Sequence, residues 1–129
     1  MLEESIFNEI VGDTTLAPKL AVGDGTFRVY PMQIPDGVEI TQAITYTEID
    51  QSLTYPLVRS STFQISCIAK TFEQARAMAD DIDRIFNDRS EDMLGGVKGI
   101  KYIKFVGRSF IKDTDAELYV VPVELFIKY

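Results

Sequence analysis

Three aspartates lie close together at Asp80, Asp81 and Asp83. Carboxylates clustered in this way can bind a divalent cation or exchange protons with a substrate. The segment has helical periodicity, so Asp80 and Asp83 are neighbours on one face while Asp81 points elsewhere. The spacing also lacks the glycine and the final glutamate of a calcium-binding loop. We therefore interpret these acids as the solvated face of a helix and predict no metal site.

Two glycine-containing segments and a group of lysines suggest anion binding at first sight. Gly23-Asp24-Gly25 and Gly95-Gly96 match neither of the common phosphate-loop patterns, so both are predicted to be turns. Lys98, Lys101 and Lys104 lie near aromatic residues, but a strand would place Lys101 on the face opposite the other two. We interpret them as part of a polar sheet face.

The lack of histidine and of a second cysteine excludes further kinds of catalytic and metal-binding site. There is no histidine, which excludes Ser-His-Asp and Cys-His catalysis. The single cysteine, Cys67, falls on the apolar face of a predicted strand, so we expect a buried thiol rather than a reactive one. No catalytic, cofactor-binding or metal-binding residue is predicted, and the chain is not expected to be an enzyme. With 13 basic and 20 acidic residues and a net charge of −7, tight nucleic-acid binding is not expected either.

The hydrophobic periodicity predicts two main helices and an antiparallel set of strands. Residues 2–11 and 71–87 have helical spacing, and Thr71 with Gln74 matches a capping box. Strands are predicted at residues 27–30, 41–50, 57–69, 99–106 with a continuation to 111, and 117–129. Residues 51–56 and 88–97 are expected to be a turn and a loop, and Gly107-Arg108 a bulge. Pro122 should require an edge position or a bulge.

These elements indicate one domain spanning residues 1–129. Its predicted class is α+β, with two layers: an antiparallel β-sheet and two main α-helices packed on one face. A chain of 129 residues can bury a core without disulfides or metal. No stretch reaches the roughly 18 apolar residues of a membrane span, and the first residues do not resemble a secretory signal, so we expect no membrane association.

The last two strands carry apolar residues on both faces. If helices cover only one face, the other apolar set remains exposed, and large exposed apolar patches usually mark protein contacts. We therefore predict a subunit interface that includes Ile100, Tyr102, Val120 and Phe126. Long loops that cover part of the second face are the alternative, but we favour the interface, which points to an oligomer.

The order of these segments resembles a phage protein family. The segments that carry the resemblance are the N-terminal helix, Arg28-Val29-Tyr30-Pro31, Ala43-Ile44-Thr45-Tyr46, Phe63-Gln64-Ile65-Ser66-Cys67, the helix from Thr71 to Asp80, Ala116-Glu117-Leu118-Tyr119 and Phe126-Ile127-Lys128-Tyr129. Over nearly the whole chain they look like the tail-completion proteins of long-tailed phages, and more distantly like tail terminators of the minor tail protein U type. These motifs are structural and include no catalytic pattern.

The resemblance implies a non-enzymatic virion protein that is assembled in the host cytoplasm. Members of the family form a six-fold ring at the head-proximal end of the tail, which caps the tail tube and joins it to the head connector. The expected partners are thus further copies of the chain, the tail tube protein and the head-connector protein. DNA would only pass through the lumen. A head–tail connector (neck) subunit nearer the capsid is the alternative, followed by a monomeric ligand-binding domain.

Overall fold

The computed structural model of the chain describes residues 2–22, 25–34, 41–54, 58–86, 89–90, 102–108, 111–113 and 118–128. Three helices and seven strands lie in these ranges. In chain order they are α1 (Leu2–Val11), α2 (Ala17–Leu20), β1 (Val29–Pro31), β2 (Gln42–Thr54), β3 (Val58–Ala69), α3 (Phe72–Phe86), β4 (Arg89–Ser90), β5 (Tyr102–Arg108), β6 (Ile111–Asp113) and β7 (Leu118–Lys128).

Both predicted main helices are confirmed. Ile6 and Ile10, one turn apart on α1, are completely buried. On α3 the side chains at helical spacing are buried as well, from Ala75 to Phe86. The Thr71 hydroxyl accepts a hydrogen bond from the backbone N–H of Gln74 at 3.3 Å, which satisfies one of the free donors at the start of the helix.

The α+β class is also confirmed, but the sheet is mixed rather than purely antiparallel. Its described strands are ordered β1-β2-β3-β7-β5-β4, and β6 pairs with β7. The prediction is wrong at β1, which runs parallel to β2 with Val29 opposite Ile44. A parallel neighbour needs a connection longer than a tight hairpin, and residues 32–41 provide that length.

Strands β2 and β3 form a longer hairpin than the sequence indicated. The turn predicted at residues 51–56 is wrong for 51–54, which continue β2 and pair with residues 58–61 of β3. Residues 55–57 lie outside the described part of the chain. The pairing shifts by one residue between Glu48 and Asp50, so Ile49 is an extra residue in β2.

Two further predictions near the C-terminus have different outcomes. The loop predicted at 88–97 includes a short strand, because Arg89 and Ser90 pair with β5; residues 91–97 lie outside the described ranges. The predicted bulge is confirmed, since the pairing between β5 and β7 shifts between Phe105 and Gly107.

The sequence predicts an edge position or a bulge for Pro122, and the structure places it in a central strand, next to an interruption between β5 and β6. On one side of β7 it is opposite Ser66 of β3. On the other side, β5 pairs as far as Val123 and β6 begins at Val120. Alternation along an antiparallel ladder directs the Pro122 nitrogen towards this interval, where none of the described residues pairs with it. Proline can therefore occupy a central strand here without removing a ladder hydrogen bond.

The buried core cluster consists of residues from the helices and of alternating residues along the strands. The predicted alternation of β3 is confirmed, because Phe63, Ile65, Cys67 and Ala69 are all fully buried. On β7, Val121, Val123, Leu125 and Ile127 are buried in the same cluster, together with residues of α1 and α3. Cys67 is therefore a core residue, as expected from the sequence.

An ion-pair network joins the segment after α1, α2 and α3. Arg84 of α3 donates two hydrogen bonds to the Asp13 carboxylate, at 3.1 and 2.8 Å. Asp81 is bound by the Lys19 ammonium at 2.8 Å and lies 3.5 Å from Arg84. The interpretation of Asp81 as a solvated residue is thus wrong: it is 9% exposed and is paired with basic residues of two elements.

Asp13 has the most partners in this network. Besides Arg84, its carboxylate accepts hydrogen bonds from the backbone N–H groups of Thr15 and Leu16. The hydrogen bonds from Arg84, and then those from the backbone, hold the pKa of Asp13 below its ordinary value of 3.8. Because the folded state favours the ionised carboxylate, its contribution to stability is present above pH 3.8 and is lost as the pH falls through the lowered pKa.

We expect Asp13→Asn to lower the free energy of unfolding by about 1 kcal/mol at neutral pH, since it weakens a charge-assisted pair and a backbone cap. Urea unfolding followed by circular dichroism measures this difference. The difference between wild type and variant should shrink when the pH is brought below 3.8. A difference that is unchanged at acid pH would show that the charge of Asp13 is not responsible.

Candidate interaction surface

The face of the sheet opposite the core is the candidate site, and we call it the outer face. Its described members alternate with the core residues along three adjacent strands. They are Ala43, Thr45 and Thr47 of β2; Thr62, Gln64, Ser66 and Ile68 of β3; and Leu118, Val120, Pro122, Glu124 and Phe126 of β7.

Cross-strand pairing divides the outer face into an apolar end and a more polar remainder. At one end Ala43, Ile68 and Val120 are aligned across β2, β3 and β7. Further along, Gln64 is opposite Glu124. Neighbours across strands are close enough for their side chains to touch. The outer face therefore has an apolar row at one end, in which Ala43 is completely buried and Ile68 and Val120 are half-buried, with charged and amide groups towards its centre. Thr45 and Pro122 are buried as well, so this face is only partly exposed.

The structure places two of the four predicted interface residues on this face. Val120 and Phe126 are both half-buried and belong to the same strand. Six residues of extended chain separate them by about 20 Å, and Glu124 lies in between. They therefore do not form one continuous apolar patch. Tyr102 is opposite Lys128 in the pairing of β5 with β7, and Ile100 lies outside the described residues.

The residues first considered for chemistry are not brought together. Among the described residues no group of histidine, cysteine or acidic side chains could hold a metal ion. Asp80 is exposed and Asp81 belongs to the ion-pair network, while Oδ1 of Asp83 is shielded from solvent and has no hydrogen-bond partner among the residues described. The two glycine segments that were predicted to be turns, together with Lys98 and Lys101, fall wholly or partly outside the described ranges.

Sequence reasoning missed three large apolar side chains that are exposed. Met32 is 75% exposed, Val22 is 49% exposed and Ile49 is 48% exposed. No sequence pattern marks them, because Ile49 is the extra residue of a bulge and Met32 follows directly after the end of β1. Methionine is a residue type that is often used at protein-binding surfaces, because its side chain is flexible and polarisable.

Met32 also has an unusual backbone. Its φ of 67° lies in the left-handed region, which side chains other than glycine, asparagine and aspartate rarely adopt. The backbone N–H of Met32 donates to the Tyr46 carbonyl at 3.0 Å. This bond keeps the strained residue against β2 while its side chain is directed to solvent. Strained residues in exposed positions concentrate at functional sites.

Next to Met32, strand β1 ends, and the edge of β2 that faces away from β3 is no longer paired with it. We call this part of β2 the open edge. Strand β1 pairs with β2 only at residues 44–46, and no other described strand pairs with β2 on that side. The Ile44 N–H donates to the Arg28 carbonyl, so even-numbered residues direct their backbone groups outward at this point. Glu48 follows in the same alternation. From residue 47 to residue 54, the described part of the structure leaves this edge without a neighbouring strand.

The fold is similar to that of a chain from a solved structure described as "Virion of native gene transfer agent (GTA) particle". The two chains are 17% identical, with a TM-score of 0.76, and the match covers 98% of this chain and 92% of that chain. At this identity the likeness establishes a common fold. No protein-family model matches the sequence, and the search of curated proteins finds no relative.

None of the described helices is long and apolar enough to span a lipid bilayer.

Proposed function

We propose that this chain is a structural virion protein whose copies form a ring that completes and caps a phage tail tube and joins it to the head connector. The observation that carries the proposal is the fold shared with a virion chain over 98% of this chain and 92% of the other. Such coverage means that the whole arrangement of elements is similar, and not one common motif. The resemblance of the sequence to tail-completion proteins specifies the position in the virion.

The chemistry of the described residues supports a structural role. Among the described residues, several charged side chains pair with one another, and no group of histidine, cysteine or acidic side chains could hold a metal ion. Charged groups instead fasten elements together, as Asp13 and Arg84 do. A protein that acts by contact requires surfaces, and the outer face and the open edge of β2 are the surfaces that this fold offers.

The ring proposal includes the domain organisation and the interface. Residues 1–129 would form a single two-layer domain with its helices on one face of the sheet. Val120, Phe126, Tyr102 and Ile100 would lie at or near the contact between subunits, because the last two strands carry apolar residues on both of their faces. The ring is proposed to be a hexamer, to bind the tail tube protein and the head-connector protein, and to be assembled in the host cytoplasm.

The charge of the chain suits a channel for DNA. With a net charge of −7, a ring of identical copies has an excess of negative charge. DNA would slide through such a lumen without releasing counterions and so without binding tightly. We therefore propose that the lumen is acidic or neutral and makes no specific contact with DNA.

Electron microscopy of the purified chain, alone and mixed with open tail tubes of the same phage, tests this function. We expect closed rings, and we expect them at one end of each tube, because a ring that caps the tube binds only where polymerisation stops. Rings that ignore the tubes but bind capsids with an open portal would favour a neck subunit. A chain that stays monomeric and binds neither particle would contradict the proposal.

We expect Phe126→Asp to leave a folded chain that assembles poorly, since it places a charge on the half-buried outer face. Val123→Asp is the matched control on the same strand, at a position that is fully buried in the core. It should lower the free energy of unfolding by roughly 4 kcal/mol or more, because a buried charge without a partner is costly.

Circular dichroism reports folding in both variants, and light scattering reports their assembly. If Phe126→Asp also unfolds the chain, Phe126 belongs to the core of the subunit. If it folds and assembles like wild type, Phe126 lies away from the contact.

A further inference from the structure

We propose that the open edge of β2, from residue 47 to residue 54, pairs through backbone hydrogen bonds with β5 of a second copy of this chain. The edge of β5 that takes part is the one that faces away from β7, so that the sheet continues from subunit to subunit. This inference rests on the proposed ring and specifies which two edges meet. It adds a backbone contact to the side-chain contact proposed for the outer face.

The first argument concerns backbone hydrogen bonding. Unpaired N–H and C=O groups along a strand edge are a template for another strand. Proteins that must avoid such pairing use short edge strands, proline or charge, and β1 has the first two features: it is three residues long and ends at Pro31. It protects β2 only as far as Tyr46. The eight residues that follow contain no proline, and no described strand pairs with them on this side. They do carry two charged residues, Glu48 and Asp50, and the bulge at Ile49, so pairing here requires a partner edge of opposite charge.

The second argument concerns the side chains next to this edge. Met32 and Ile49 are 75% and 48% exposed. Met32 lies where β1 leaves β2, and Ile49 lies within the open segment. Strand addition obtains its affinity from main-chain hydrogen bonds and its specificity from side chains that flank the edge. An apolar residue at the start of the open segment and another within it supply such flanking contacts.

The third argument identifies the occupant by charge. Glu48 and Asp50 precede and follow Ile49, so the open segment of β2 is acidic. At the opposite end of the sheet, β5 carries Lys104 and Arg108 and no acidic residue. Complementary charge favours this pairing over β2 with β2, which would bring acids together. In a chain with net charge −7, a basic edge is the place where the acidic edge of another copy fits best.

The edge of β5 is available in the described structure. Strand β4 pairs only with Tyr102 and Ile103, and no other described strand lies beside residues 104–108 on that side. One subunit thus presents two different edges at opposite ends of a single sheet. Two different surfaces that bind each other head to tail generate a ring when the rotation closes.

Substitution of Ile49 by lysine tests the acceptor edge. Ile49→Lys places a positive charge opposite a basic edge, on a side chain that is already 48% exposed. We expect the fold to be retained and the association of subunits to weaken at least about tenfold, measured by light scattering. Val22→Lys is the matched control, because Val22 is 49% exposed but lies outside the open segment. Equal association of the two variants would overturn the inference.

Cross-linking tests which edges meet. Ile49→Cys and Lys104→Cys are prepared separately, mixed, assembled and treated with a short bismaleimide; the native Cys67 is buried and should not react. We expect covalent dimers in the mixture and none with either variant alone. Arg76→Cys, at an exposed position of α3, replaces Lys104→Cys in the control mixture and should give no dimer with Ile49→Cys.

The outcomes separate this inference from the proposed function. Rings without cross-linking between Ile49→Cys and Lys104→Cys would leave the ring in place and overturn the pairing of these edges. Dimers formed by Ile49→Cys alone would replace it with a two-fold contact of β2 with β2. A wild-type chain that forms no ring and binds no tail tube would contradict the proposed function itself.

Discussion

Backbone hydrogen bonding at the edges of an open sheet is the constraint on which the rest of this structure depends. Every strand must place its N–H and C=O groups against partners or water, and a sheet that does not close into a barrel has two edges where water or another strand must supply the partner. Among the described residues, three residues of β1 and two of β4 cover only part of those edges. The described residues that they leave uncovered are acidic on β2 and basic on β5, which suits the proposed continuation of the sheet into another copy.

The buried core stabilises the fold without a contribution from the strand edges. Strands β3 and β7 share ten residue pairs, and their alternating side chains are buried in the same cluster as those of α3, so the centre of the sheet does not rely on its edges. Pro122 is tolerated in this central strand because its nitrogen faces the interval between β5 and β6. The Asp13–Arg84 and Lys19–Asp81 ion pairs fasten the segment after α1 and helix α2 to α3. Because the core and these ion pairs stabilise the subunit, its strand edges can pair with another copy while the subunit stays folded.

The sequence was sufficient where periodicity is strong and local. The strict alternation around Phe63 and the helical spacing after Phe72 predicted the elements and the buried residues correctly. The sequence was insufficient where contacts with distant segments of the chain determine the structure. The parallel position of β1, the extension of β2 past Gln51 and the burial of Asp81 all depend on partners far along the chain. Likewise, alternation placed Val120 and Phe126 on one face, but it could not reveal Met32 and Ile49, whose exposure follows from a left-handed residue and a bulge.

Hydrogen–deuterium exchange in dilute and in assembled protein tests the central claim most directly. If copies complete each other's sheets, the outward backbone amides between residues 47 and 54, such as that of Glu48, exchange quickly in the monomer and become protected on assembly, because they gain acceptors. Amides of β3 between Phe63 and Ala69, already paired on both sides, should exchange equally slowly in both states. Assembly that leaves the exchange of residues 47–54 unchanged would contradict the account.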